Sequence, residues 1–245
     1  RYLSLGLISS SYPSLHSVSR PFQIYSTKYA MAAAEQPAEM TEQSIDDYLA
    51  SKYFPPMYQG EEELIPPLSC TGKLGKIAQN QIDKNVENNV FTISGVLTAE
   101  EAQWLIDRGE KWGFEQSTVY SEEKDDNIVR KDIRDNHRVL ETFPALSTAV
   151  WNAVGHLFPD EIDGKQKQGL YGLWRYYRYH PGQNFAPHQD HVVFGDELDG
   201  TESRYTFLLY LNGATEGGET AFPKIDASVT PTTGMGLAFR QENWH

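Results

Sequence analysis

Cysteine is almost missing: Cys70 is the one thiol in 245 residues, so no internal disulfide can form and a multi-cysteine zinc module is excluded. Basic residues are scarce. Lys and Arg number 21 against 34 Asp and Glu, a formal net charge of −13, the wrong sign for a surface that tracks phosphates, so no nucleic-acid partner is expected. Long apolar runs are also lacking, since fragments such as 207–211 fall far short of the roughly 18 residues that cross a bilayer. No membrane span is expected. What remains is 39% apolar and 12% aromatic, enough to close a sizeable core in one large or two small domains.

Acid is absent from residues 1–34, which carry Arg1, Arg20, Lys28 and nine Ser or Thr. That is the composition of an organellar transit peptide. The chain opens on Arg1, so a second reading makes Met31 the start, with the preceding residues translated in error. The first reading places the protein in a mitochondrion or plastid and the second in the cytoplasm. Both leave residues 1–40 out of the fold as a disordered leader.

Within 41–87 a short helix is expected, because Ser44 and Asp47 fit a capping box, Ile45, Tyr48 and Leu49 share a face, and Pro55-Pro56 stops it. Residues 60–89 read as an irregular linker. Packed structure is expected from about Asn88. Residues 91–97 alternate like a strand, and Thr98-Ala-Glu-Glu101 caps a helix with Ala102, Leu105, Ile106 and Gly109 on one face. Residues 121–127 read as a polar loop, and a second helix after Pro144 aligns Leu146, Val150, Val154 and Leu157. Beyond Gly164 short β-prone runs follow at 173–180, 204–212, 219–222, 228–230 and 235–240. Helices first and many short strands afterwards predict an α+β domain, a rolled antiparallel sheet backed by helices.

The chemistry is concentrated in Tyr176-Tyr-Arg-Tyr-His-Pro-Gly-Gln-Asn-Phe-Ala-Pro-His-Gln-Asp190. In an extended chain side chains two apart share a face, so His188 and Asp190 can present a nitrogen and an oxygen to one point. His245, after the β-prone run 235–240, supplies a third ligand if the two segments lie side by side. Two His and one carboxylate leave the opposite positions of an ion open, the arrangement of non-haem Fe(II) oxygenases. Alternation turns His191 to the other face. His16 falls in the leader, His137 and His156 in helical or loop contexts, and His180 before a turn. Trp174, Tyr176, Tyr177 and Tyr179 are first of all a packing surface, and Arg204 reads as solvated or paired.

In order and spacing, the segments Tyr179-His-Pro-Gly-Gln-Asn-Phe-Ala-Pro-His188-Gln-Asp190, Arg204-Tyr-Thr-Phe-Leu-Leu-Tyr-Leu-Asn212, Gly217-Gly-Glu-Thr-Ala-Phe-Pro223 and Val229-Thr-Pro-Thr-Thr-Gly-Met-Gly-Leu-Ala-Phe239, continued to His245, resemble the Fe(II)/2-oxoglutarate-dependent dioxygenases of the prolyl 4-hydroxylase-like group. The resemblance runs from about residue 88 to His245. It implies a double-stranded β-helix, a jelly-roll or cupin-like core backed by helices, with Fe(II) held by His188, Asp190 and His245. It also implies 2-oxoglutarate and O2 as co-substrates, ascorbate as an accessory reductant, and hydroxylation of an unactivated C–H bond coupled to decarboxylation to succinate. The substrate it implies is a small molecule or a peptidyl residue such as proline. Tyr179 and Thr206 match positions that line the 2-oxoglutarate pocket. The group normally places a Lys or Arg on the strand after the distal histidine, and here the chain stops at His245. The expectation is therefore a dioxygenase domain truncated at its carboxyl end, without closing strands and without a nameable co-substrate anchor.

Two other classes stay open. A zinc hydrolase also uses two His and an Asp, although no His-Glu-x-x-His is present. A non-catalytic β-barrel would bind a partner through its aromatic and acidic surface. The acidic loops at 120–130 and 195–202 read as solvated charge, or as lids whose sign favours a basic substrate.

Overall fold

A computed structural model describes residues 2–10, 58–59, 73–76, 90–121, 123–193, 202–213 and 216–245. In chain order the strands are β1 Tyr2–Ser10, β2 Tyr58–Gln59, β3 Lys73–Lys76 and β4 Val90–Ser94, followed by helix α1 Ala99–Trp112. Next come β5 Glu115–Gln116, β6 Val119–Ser121, β7 Asp126–Ile128, β8 His137–Thr142 and helix α2 Pro144–Val154. The remainder is β9 Glu161–Ile162, β10 Lys165–Gln166, β11 Gly169–Leu170, β12 Leu173–Tyr179, β13 Ser203–Tyr210, β14 Thr220–Phe222, β15 Ala227–Val229 and β16 Met235–Arg240.

Both helices begin where local chemistry demands. The Thr98 hydroxyl accepts from Glu101 N at 3.2 Å, and Thr98 N donates to the Glu101 carboxylate at 2.7 Å, so two otherwise orphaned donors are satisfied together. Pro144 starts α2 at a position where its missing N–H costs nothing. Ala102, Leu105 and Gly109 of α1 and Leu146, Val150 and Val154 of α2 are buried, as their spacing predicts.

The helices cover one face of a ten-stranded sheet of order β2-β8-β12-β1-β13-β16-β4-β3, with β11 on β1 and β5 on β8. All pairs are antiparallel except β2 with β8. Alternation sorts the side chains. Trp174, Tyr176, Tyr205, Phe207 and Leu209 pack with Leu105, Leu146, Val150 and Phe158 on the helix side. Tyr210, Leu237 and Phe239 pack with Phe222 and Val229 of the small β14–β15 sheet on the other side. A sheet buried on both faces explains why these strands read as nearly continuous apolar runs.

One buried polar knot ties α1 to the sheet. Arg108 Nε donates to Glu141 Oε1 at 2.8 Å and the Tyr176 hydroxyl donates to Glu141 Oε2 at 2.9 Å. Behind the sheet, the Gly234 carbonyl accepts from Val96 N at 2.9 Å and Leu97 N at 3.1 Å. That close approach requires glycine, since a Cβ there would stand 2.0 Å from the Leu97 carbonyl oxygen and φ is +76°.

The α+β class is the observed one: mostly strands with few helices. Several local expectations change. Residues 2–10, set aside as part of a disordered leader, form β1, paired with β12 on one edge and β13 on the other. The slot beside β12 is thus occupied. Leu3, Leu5 and Leu7 alternate with Ser4 and Gly6, a strand pattern that the segment's hydroxyl-rich composition obscured. Residues 73–76 within the expected linker pair with β4. The loop 121–127 lies in a hairpin, β6–β7, and His137 opens β8 rather than lying in a helix or loop. The helix expected after Thr41 lies outside the described residues.

Candidate metal centre

Beyond β12 the chain turns at Gly182, φ +83°, with Gln183 N donating to the His180 carbonyl at 3.0 Å. Residues 184–186 then run beside 133–135. Asp135 N donates to Asn184 O at 2.9 Å, Ala186 N to Ile133 O at 2.7 Å, and Arg134 and Phe185 form an antiparallel bridge. This short ladder aims His188. His188 N donates to the His245 carbonyl at 2.9 Å and His245 N returns a bond to the His188 carbonyl at 3.0 Å. Such reciprocal pairing places two residues directly opposite each other. The Gln189 side chain also donates to the Glu242 carbonyl.

The three expected ligands meet. His188 Nε2 lies 3.6 Å from Asp190 Oδ1, His245 Nε2 lies 3.7 Å from Asp190 Oδ2, and one donor atom from each of the three falls within 4.8 Å of the others. Atoms bound at about 2.1 Å to one ion stand roughly 3 to 4 Å apart, so a small closure suits a common centre. The tautomers are set by the backbone. His188 Nδ1 lies 3.0 Å from Ala186 O and His245 Nδ1 3.1 Å from Asn243 O, so each Nδ1 carries the proton and each Nε2 keeps its lone pair toward Asp190. Two neutral imidazoles and a carboxylate with free lone pairs are the donor set of a divalent transition metal.

The walls are aromatic. Phe185 stacks on His188 at 3.7 Å between ring centroids, and Phe239 and Phe222 lie 4.3 and 6.1 Å from His245. Burial holds the His245 imidazole below its ordinary value against the pull of Asp190. Burial raises the Asp190 carboxyl, but His188, the His245 imidazole and the Thr206 hydroxyl outweigh it and bring the group to about 2. The carboxylate is therefore ionised and available.

Thr206 Oγ1 donates to Asp190 Oδ2 at 2.5 Å, so this hydroxyl is committed to a ligand carboxylate. Tyr179 ends β12 on the same face as Tyr177, and burial raises its phenol above the ordinary value. Arg204 is engaged, 2.6 Å from Glu202 and 3.6 Å from Asp163. His191 and His156 are exposed. His137 and His180 pack edge to face at 5.7 Å apart from the cluster. His16 and the loop 195–201 lie outside the described residues. Sequence reasoning missed Phe185, Phe239 and Arg134; Phe185, three residues before His188, was the legible one.

Residues 174–245 match the 2OG-Fe(II) oxygenase superfamily. The chain is also 27% identical over 147 residues to a protein of Arabidopsis thaliana named probable prolyl 4-hydroxylase 3, an alignment covering 56% of this chain and 46% of the relative. The chain thus spans about half the length of the curated relative it matches. The superfamily match contains all three clustered side chains together with Tyr179 and Thr206.

Proposed function

We propose, from the likeness of residues 174–245 to the 2OG-Fe(II) oxygenase superfamily, that this chain is an Fe(II)- and 2-oxoglutarate-dependent oxygenase of the prolyl 4-hydroxylase-like kind. The observation that carries the reading is the His188, Asp190 and His245 donor set, each Nδ1 satisfied by a carbonyl and each Nε2 turned toward one carboxylate. In this reading those three side chains hold Fe(II), and the sheet is the larger half of a double-stranded β-helix. Bound Fe(II), with 2-oxoglutarate and O2, supplies hydroxylation of an unactivated C–H bond coupled to formation of succinate and CO2, and ascorbate keeps the metal reduced.

The chain's own residues bind, orient and exclude water. Ala186 O and Asn243 O hold the imidazoles in the metal-binding tautomer. Thr206 orients the Asp190 carboxylate, and its methyl with the Tyr179 phenol lines the co-substrate pocket. Phe185, Phe222 and Phe239 shield one side of the cluster, which strengthens the polar contacts there, while His188 and Asp190 keep an open side at 24% and 27% exposure. Peptidyl proline is the substrate class we infer, supported by the printed name of the Arabidopsis relative.

Anaerobic addition of Fe(II) and 2-oxoglutarate is expected to raise a visible metal-to-ligand charge-transfer band in the wild-type protein and none in His188→Ala. Equal spectra for the two, or zinc retained through native purification with no band, overturns the reading, and the second result favours a hydrolase. Mass gain of one oxygen on a proline-containing peptide tests the substrate.

A further inference from the structure

Three arginines gather on the sheet face that carries Tyr179, in a chain where acids outnumber bases 34 to 21. Arg134 is 7% exposed. Its guanidinium lies 5.1 Å from the Tyr177 ring and 4.1 Å from the Phe185 ring, and Phe185 in turn stacks on His188. Arg134 Nε donates to Asn136 Oδ1 at 3.1 Å, whereas its Nη2 is buried with no hydrogen-bond partner. Arg138 sits directly across from Tyr177 in the β8–β12 register, and Arg175 lies two residues before Tyr177 on the same face. Arg138 Nη2 reaches the Thr118 hydroxyl at 2.8 Å.

Among the described residues no ion pair joins Arg134, Arg138 or Arg175 to a carboxylate. The nearest acid in register, Glu115, is across from Arg138 on β5 and exposed. Burial first, and after it the neighbouring Arg134 and Arg175, lower the Arg138 pKa against the pull of Tyr177 and Glu115. Arg134 is buried and Arg138 and Arg175 are half-buried; unpaired charge withdrawn from water is costly, and three guanidiniums on one face, Arg134 reaching His188 through Phe185, are arranged to receive an anion.

We propose that Arg134, Arg138 and Arg175 form a carboxylate-binding surface flanking the metal cluster, so that the substrate oxidised there carries acidic groups. This rests on the oxygenase reading for the word substrate, but the binding surface does not. The carboxylates come from acidic side chains of a peptide or from a free organic acid. Planar forks of guanidinium suit either source. The inference reverses the expectation that an acidic rim selects a basic substrate.

The test is titration calorimetry on the full chain without added metal, using a Glu-rich peptide containing one proline, its Lys-rich counterpart, succinate and 2-oxoglutarate. The Glu-rich peptide or succinate is expected to bind, with the stronger of the two naming the source, and the Lys-rich peptide is expected not to bind. Arg138→Gln and Arg175→Gln should each weaken binding at least about tenfold, and added salt should weaken it further. Arg134→Lys, which keeps the charge and loses the fork, should weaken it less than Arg134→Gln. Circular dichroism confirms folding of each variant. His188→Ala should leave peptide or succinate binding unchanged, so a failed metal reading and a failed anion surface give different results. Equal affinity of wild type and the Gln variants, tighter binding of the Lys-rich peptide, or loss confined to 2-oxoglutarate overturns the proposal.

Discussion

Thr206 shows how much a single hydroxyl can set. Its proton goes to Asp190 Oδ2 at 2.5 Å, which leaves the carboxylate aimed at the two Nε2 atoms rather than free to rotate about its own χ2. Partners of metal ligands typically govern metal affinity by about 10- to 100-fold. Thr206→Val, which keeps the shape and removes the donor, is therefore expected to weaken Co(II) binding, read from its visible absorption, within that range at unchanged thermal stability; equal affinities would mean the bond is incidental. The sequence marks Thr206 by motif position. It does not reveal that the hydroxyl is spent on a carboxylate, because that contact joins β13 to a loop beyond β12 and leaves no trace in local spacing.

Among the elements, α1 and the paired strands β8 and β12 depend on one buried triad. The Arg108 and Glu141 side chains are 4% and 0% exposed, and Tyr176 donates to the same carboxylate. Glu141→Ala removes the carboxylate that pairs with the buried guanidinium and is expected to cost about 3 to 5 kcal/mol in denaturant unfolding. Replacing both charges at once, Arg108→Met with Glu141→Leu, should recover most of that loss, since no charge remains to desolvate. A double variant as unstable as the single one would refute this account. Helix caps and apolar stripes were plain in the sequence. The triad was not, because Arg108 and Glu141 on paper are ordinary surface types and only the packing of α1 over β8 removes them from water.

The assembled fold carries its own titration. Burial raises the phenols of Tyr176, Tyr179, Tyr205 and Tyr210, Tyr205 to about 12. A folded value above the unfolded one favours the neutral form, so this stabilisation is complete below about pH 10, the ordinary phenol value, and disappears as pH rises through the folded values. Spectrophotometric titration should show the exposed tyrosines ionising first and a steep second rise coinciding with loss of the circular dichroism signal. A single smooth curve with the fold intact would contradict it. Tyr176, Tyr205 and Tyr210 are buried because the sheet is covered on both faces, with helices on one side and β14–β15 on the other.

Alternation, caps and turn residues act between near neighbours, so the helices, the strands of the carboxyl-terminal half and the His-x-Asp pair were readable from the chain alone. Which distant segments share an edge is a different matter. The reciprocal bonds between His188 and His245, the bridge that brings Arg134 to Phe185, and the insertion of β1 between β12 and β13 each satisfy backbone groups left open by another part of the fold. Such pairings follow from complementarity of edges and packed faces in space, a property that exists only once the chain has folded.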